Sequence, residues 1–134
     1  MGYVIGFVLA LVVGAFARLV GLDRDRSFYP TVLIVVASYY ALFAVMGAST
    51  RAIVLESSVA GAFAAAAVVG FRSSLWVVAV GLAAHGVFGF FHGMVILNPG
   101  VPVWWPAFCG MYDVTAAGVL AWLLKSGRIR LESP

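Results

Sequence analysis

The sequence predicts an all-α integral membrane protein, a bundle of five transmembrane helices, and three observations predict it. Hydrophobic residues make up 64% of the 134 residues and charged residues only 10%, whereas a soluble domain needs about a quarter charged for its solvated shell. The mean hydropathy is +1.10, and the apolar residues fall in five runs of roughly 20, the length a helix needs to cross a hydrocarbon core of about 30 Å. The basic residues gather in alternate connections, as the preference of Lys and Arg for the cytoplasmic side requires. A β-barrel is excluded, because polar and apolar residues do not alternate and the runs are about twice as long as a barrel strand.

The first span, 2–21, is apolar until Arg18. Ala15-Phe16-Ala17 has the small-x-small pattern of a cleavage site, but no positive residue precedes the apolar run, so a cleavable signal peptide is not expected. The second span, 29–47, carries Pro30 in its first turn, where a missing N–H leaves no bond unmade. The third, 51–70, is rich in alanine and interrupted by Glu56-Ser57-Ser58; the fourth, 75–96, carries both histidines; the fifth, 107–124, carries Asp113. The connections at 22–28, 48–50, 71–74 and 97–106 are too short for an extramembrane domain, so residues 1–134 are expected to form a single transmembrane domain.

With the N-terminus outside and the C-terminus cytoplasmic, the inner side receives Arg18, Arg24, Arg26, Arg72, Lys125, Arg128 and Arg130, and the outer side Arg51 alone. Aromatic anchors agree with this topology: Tyr3, Trp104 and Trp105 fall at the outer interface, and Phe28, Trp76 and Trp122 near the inner one. The expected location is the inner (plasma) membrane. The pI near 9.4 follows from the inner-side bias and does not point to nucleic acid. There is no glycine-rich phosphate loop, dinucleotide fingerprint or basic stripe interleaved with aromatics. The single cysteine, Cys109, excludes a disulfide within the chain and a multi-cysteine metal site.

Ionisable side chains within a span cost several kcal/mol by insertion scales (~3 kcal/mol for Asp at a helix centre) and therefore face protein or a wet cavity. Four occur here: Glu56, His85, His92 and Asp113. At about 1.5 Å per residue, His85 and Asp113 come near the midplane and Glu56 and His92 in the outer half, with Asn98 just beyond. At about 100° per residue, His85 and His92 share one face of the fourth span, flanked by Gly81, Gly86, Gly89 and Gly93, while Val87, Phe90 and Phe91 point elsewhere. Glu56 shares its face with Ala52, Ala60, Ala67 and the bulky Phe63; Asp113 shares its face with Cys109, Gly110, Ala117 and Ala121. Small residues let helices approach closely in lipid, so the ionisable faces are also packing faces and are expected to converge. The plainer expectations are an ion pair of Glu56 with Arg51, a structural hydrogen bond between His85 and Asp113, and Cys109 as a small apolar filler.

The segment Asn98-Pro99-Gly100-Val101-Pro102-Val103-Trp104-Trp105-Pro106 holds three prolines and a glycine, and is expected to be wholly non-helical. It would form a lid or entrance at the outer mouth, with Trp104 and Trp105 on it, or else an interfacial connection anchored by tryptophan. The pattern His85-x6-His92, Asn98-Pro99-x2-Pro102 and Cys109-x3-Asp113, over about the C-terminal third, resembles the signature of a group of small bacterial membrane proteins defined as a domain of unknown function. In that group an aspartate stands between the histidines and a further histidine follows. This chain has Gly89 and Gly93 there, which removes ligands that a metal site would use. The resemblance supports the choice of residues and implies no activity.

Three functions fit. The first is an outward-facing site of Glu56, His85, His92, Asn98 and Asp113 that binds or passes a small ligand or ion, since histidine exchanges protons near neutral pH. The second is an intramembrane enzyme on a lipid-like substrate, with a carboxylate polarising a histidine; no G-x-S-x-G or activated cysteine marks a nucleophile. The third is a structural subunit of a membrane complex. A divalent metal at His85, His92, Glu56 and Asp113 is a sub-case of the first two, although the histidines lie about 10 Å apart along a straight helix. The bilayer is the expected partner, with further copies of the chain or another membrane subunit.

Overall fold

The computed structural model describes residues 1–129. Five α-helices, each long and apolar enough to cross a membrane, make up these residues with their connections: α1 Gly2–Val20, α2 Phe28–Met46, α3 Thr50–Arg72, α4 Leu75–Val95 and α5 Trp105–Lys125. Among the described residues there is no strand. Helix α5 lies between α1 and α4, α3 packs on both α2 and α4, and α2 closes back on α4 and α5.

The helix ends follow local chemistry. The side chains of Ser49 and Ser74 cap α3 and α4, accepting from the Ala52 and Trp76 N–H groups at 3.2 and 3.3 Å, which satisfies donors a first turn leaves open. Helix α1 ends at Gly21, whose φ of 83° is the left-handed cap that glycine takes without a Cβ penalty. Arg26 also has positive φ, a conformation that costs about 1 kcal/mol or more for a residue with a side chain. Its buried guanidinium donates to the carbonyls of Phe71 and Ser73 at 3.1 and 3.4 Å, closing the C-terminal end of α3. In the same turn the Ser27 hydroxyl and N–H reach Asp25 at 2.7 and 3.2 Å and hold its carboxyl below the ordinary carboxylate value.

Helix α1 buries a stripe of Gly6, Ala10, Gly14 and Ala17, and this seats it on α5. A Cβ on Gly6 would stand 2.2 Å from the Phe108 carbonyl oxygen, so the two backbones touch in a way only glycine permits. Gly6→Ala is expected to destabilise the bundle by about 1–3 kcal/mol, as overpacking does, whereas Gly61→Ala, with nothing within 4 Å of its Cβ, should be nearly neutral. Unfolding of both variants in mixed micelles checks this; equal stability would mean that α1 is not held there.

Two expectations about boundaries are corrected. Helix α5 begins at Trp105, so Trp105 and Pro106 belong to its first turn and the non-helical segment stops at Trp104. The reason is that proline is well accommodated in a first turn, where the N–H it lacks would have no intrahelical carbonyl to donate to. Helix α3 runs on to Arg72, past the expected end at residue 70. The basic residues Arg18, Arg24, Arg26, Arg72, Lys125 and Arg128 fall at one end of the bundle and Arg51 at the other; Arg130 lies outside the described residues. At the basic end, Arg18 bonds Asp23 at 3.1 Å and the Arg128 carbonyl at 3.2 Å, and Arg128 lies over the Trp122 ring.

Candidate functional site

The site is built where glycines bring α4 and α5 into backbone contact. A Cβ on Gly86 would meet the Gly110 carbonyl oxygen at 2.8 Å and the Asp113 Cβ at 3.1 Å. That approach sets His85, the residue before Gly86, against Asp113, and a 2.6 Å hydrogen bond joins His85 Nδ1 to Asp113 Oδ2. Cys109, one turn before Asp113 on α5, donates its thiol to the same oxygen at 3.6 Å, so it is more than an apolar filler. Val87 and Phe91 point outward, as the helical phase predicts, whereas Phe90 lays its ring over Gly110 of α5 and stacks on Tyr3, and Gly93 is exposed with open space around it. The small-residue face therefore ends at Gly89.

Two turns along α4 from His85, His92 Nε2 is hydrogen-bonded to Glu56 Oε1 at 2.5 Å. Asn98, just past the end of α4, donates to Glu56 Oε1 at 2.9 Å and to the Tyr40 carbonyl at 3.0 Å, while its own carbonyl oxygen accepts the Gly100 N–H. The expectation that Glu56 pairs with Arg51 is thereby overturned: the carboxylate turns inward, where an imidazole and an amide satisfy it, and Arg51 stays exposed at the start of α3.

All five sequence-predicted residues are thus brought inside, but as two groups: His85 and Asp113, joined by Cys109, in one, and Glu56, His92 and Asn98 in the other. Tyr40 of α2 links them. Its ring stacks on His92 at 4.2 Å between centroids and meets the His85 ring edge-on at 5.9 Å. Sequence reasoning missed Tyr40, since nothing in the sequence separates it from the neighbouring Tyr39, which is partly exposed; only the phase of α2 distinguishes the two. Phe63, the bulky member of the α3 face, packs edge-on against His85 at 4.8 Å, and Phe88 does the same to His92 at 5.7 Å.

These rings close the site. Glu56, His85, His92 and Asp113 are each at most 2% exposed, so the expected opening toward the outer face is absent. Trp105 is buried against Tyr39 and Phe43, with ring centroids at 5.0 and 4.9 Å, and holds the 97–104 connection in place; Trp104 is exposed. An apolar cleft of about 420 Å³ between α1, α2 and α5 reaches the cluster from the side, with Cys109, Tyr39, Trp105 and Tyr112 among its walls.

Three buried polar atoms around the two groups have no hydrogen-bond partner: Tyr40 Oη, Glu56 Oε2 and Asp113 Oδ1. Buried polar groups are nearly always satisfied, so the spare oxygen of each carboxylate leaves the site acceptor capacity; Asp23 Oδ1, Tyr29 Oη and Trp105 Nε1 are further buried atoms of this kind elsewhere in the bundle. The donor set suits metal coordination, but not by the four residues expected from sequence. Among the described residues, the metal-ligating side chains whose donor atoms lie within 4.8 Å of one another are His85, Cys109 and Asp113. His92 and Glu56 are engaged elsewhere because the two histidines stand seven positions apart on α4. No protein family model, curated protein or solved structure matches the chain, so the functional reading comes from the geometry.

Proposed function

We propose that this multi-pass membrane protein binds a small ion or ligand at an interior site formed by Glu56, His85, His92, Asn98 and Asp113, with its basic end in the cytoplasm and the Glu56–His92 group toward the outer face of the inner membrane. The observation that carries the reading is the pairing of four nearly inaccessible ionisable side chains across α3, α4 and α5, with one oxygen of each carboxylate left over. A scaffold needs its buried polar groups satisfied, and replacing a buried ion pair by apolar residues is often neutral or stabilising. Spare acceptors held in rigid positions favour binding over mere scaffolding. The closed geometry favours a proton-sized or monatomic guest, or one admitted by local opening.

A second reading, an intramembrane enzyme, is favoured by one specific observation. The apolar cleft has Cys109 in its wall, so an acyl or isoprenoid chain lying there would bring its polar end to the Asp113–His85 pair. In that reading Asp113 orients the imidazole and His85 acts as acid or base.

His85→Ala and Asp113→Asn are the deciding variants. A ligand that binds only the folded state at 100 times its Kd stabilises by about 2.7 kcal/mol. Purified wild-type protein is therefore expected to show a raised Tm with its ligand, found by screening ions and co-purified small molecules. Both variants are expected to fold and to lose that rise. Folded variants that retain every ligand response would reduce the cluster to scaffolding.

A further inference from the structure

We infer that His85, Cys109 and Asp113 form a binding site for one borderline-soft divalent cation of the zinc class. The inference deepens the reading of the interior as an ion site and names both the ion and its ligands. It rests on donor chemistry and position. Cys109 and Asp113 stand four residues apart on α5 and so present their donors from one helical face, and His85 faces them from α4. A thiolate, an imidazole and a carboxylate form the mixed sulfur–nitrogen–oxygen set that selects zinc-like ions over hard magnesium or calcium, which take oxygen donors.

The spacing is close to what such an ion requires. Ligand atoms about 2.0 Å from a tetrahedral centre stand about 3.3 Å apart, and a thiolate at about 2.3 Å stands slightly further from them. In the structure His85 Nδ1 and Asp113 Oδ2 are 2.6 Å apart and Cys109 Sγ and Asp113 Oδ2 are 3.6 Å apart. The ion would displace the protons that now bridge these atoms, the imidazole–carboxylate pair would open by a fraction of an ångström, and all three donors already lie within 4.8 Å of one another. Metal binding of this kind releases the thiol proton and is pH-dependent.

A second observation, beyond the three donor atoms themselves, points to a guest. Asp113 is fully buried, yet its Oδ1 has no partner, and the nearby Tyr40 hydroxyl has none either. These atoms offer a further ligand or a hydrogen bond to a metal-bound water, the open fourth position of a three-ligand site. Close contact of Gly86 with Gly110 fixes the two helices that carry the ligands, so the site is preorganised. The neighbouring group is not part of this ligand set: Glu56 Oε1 holds His92 and Asn98 instead.

The test uses the full chain, purified in nanodiscs and stripped of metal, titrated with Co(II) as a spectroscopic probe and then with Zn(II). The expected result is one equivalent of Co(II) with a thiolate-to-cobalt charge-transfer band, displaced by Zn(II). Cys109→Ser should remove the band and weaken binding by about 100-fold or more, since even outer-shell changes cost 10–100-fold. Asp113→Asn should weaken binding similarly, and Gly61→Ala, whose Cβ meets open space, should leave both band and affinity unchanged. Binding that survives Cys109→Ser with its spectrum intact, or that keeps its affinity in folded Asp113→Asn, would overturn the assignment. If neither Co(II) nor Zn(II) binds the folded wild-type protein, the zinc-class site is wrong. A Tm rise with another ion or small molecule, lost in His85→Ala, would still leave the broader binding reading standing.

Discussion

Replacing His92 by Phe is expected to destabilise the bundle by about 3 kcal/mol, the scale on which removing one partner of a buried pair acts. Phenylalanine keeps a ring on the Tyr40 and Phe88 contacts but has no nitrogen for Glu56 Oε1. The carboxyl then remains in an apolar interior with Asn98 as its one remaining partner among the hydrogen bonds of the site. A neutral hydrogen bond between transmembrane helices is worth far less, about 0.6 kcal/mol on average, so the magnitude separates the two descriptions. Adding Glu56→Met should restore most of the loss, because an apolar side chain of similar length has nothing to leave unpaired and Asn98 keeps the Tyr40 carbonyl. The measurement is a double-mutant cycle of unfolding free energies in mixed micelles. A loss under about 1 kcal/mol for His92→Phe, or no recovery in the double variant, would contradict a buried, mutually dependent pair.

Gly100→Ala is expected to be the most damaging single-methyl change in the chain. Its Cβ would lie 1.7 Å from the Phe43 carbonyl oxygen and 2.9 Å from the Gly47 nitrogen. Both are backbone atoms of the end of α2 and cannot rotate away. The connection must lift off that helix, and it carries Asn98, whose amide holds Glu56 and the Tyr40 carbonyl. The cost should reach or exceed the roughly 3 kcal/mol upper end of ordinary overpacking, and Tm should fall accordingly. Gly93→Ala is the internal comparison. Nothing lies within 4 Å of its Cβ, and alanine favours a helix over glycine by up to about 1 kcal/mol, so that variant should be neutral or slightly stabilised. Similar behaviour of the two variants would mean that the connection is not seated on α2.

The five spans were legible because they depend on length and composition alone: a helix must be about 20 residues long and apolar to cross lipid. Which residues turn inward was also legible for α4 and α5, where helical phase places His85, His92, Cys109 and Asp113 on packing faces. The pairing was not. Glu56 has Arg51 within reach in sequence but finds His92 and Asn98 across helices, because the partner is chosen by which faces meet. Cys109 shares the Asp113 face, and by sequence alone it reads as a filler. Its thiol reaches the carboxylate one turn on within α5 itself; what the contact of Gly86 with Gly110 decides is that His85 meets the same oxygen. Tyr40 gave no signal at all, since a tyrosine in an apolar helix looks the same whether it faces lipid or a histidine.

The sequence by itself determined that the chain is a bundle of five apolar helices, that its basic residues collect at one end, and that its ionisable side chains must be sheltered. Those follow from the cost of putting charge and unsatisfied backbone into hydrocarbon, which every residue carries with it wherever it is placed. Only the tertiary structure decided that the sheltered groups form two clusters linked by Tyr40, that aromatic rings close them, and that Cys109 joins His85 and Asp113. These are matters of which helix faces touch and at what rotation, and in this chain backbone contact at a few glycines sets both.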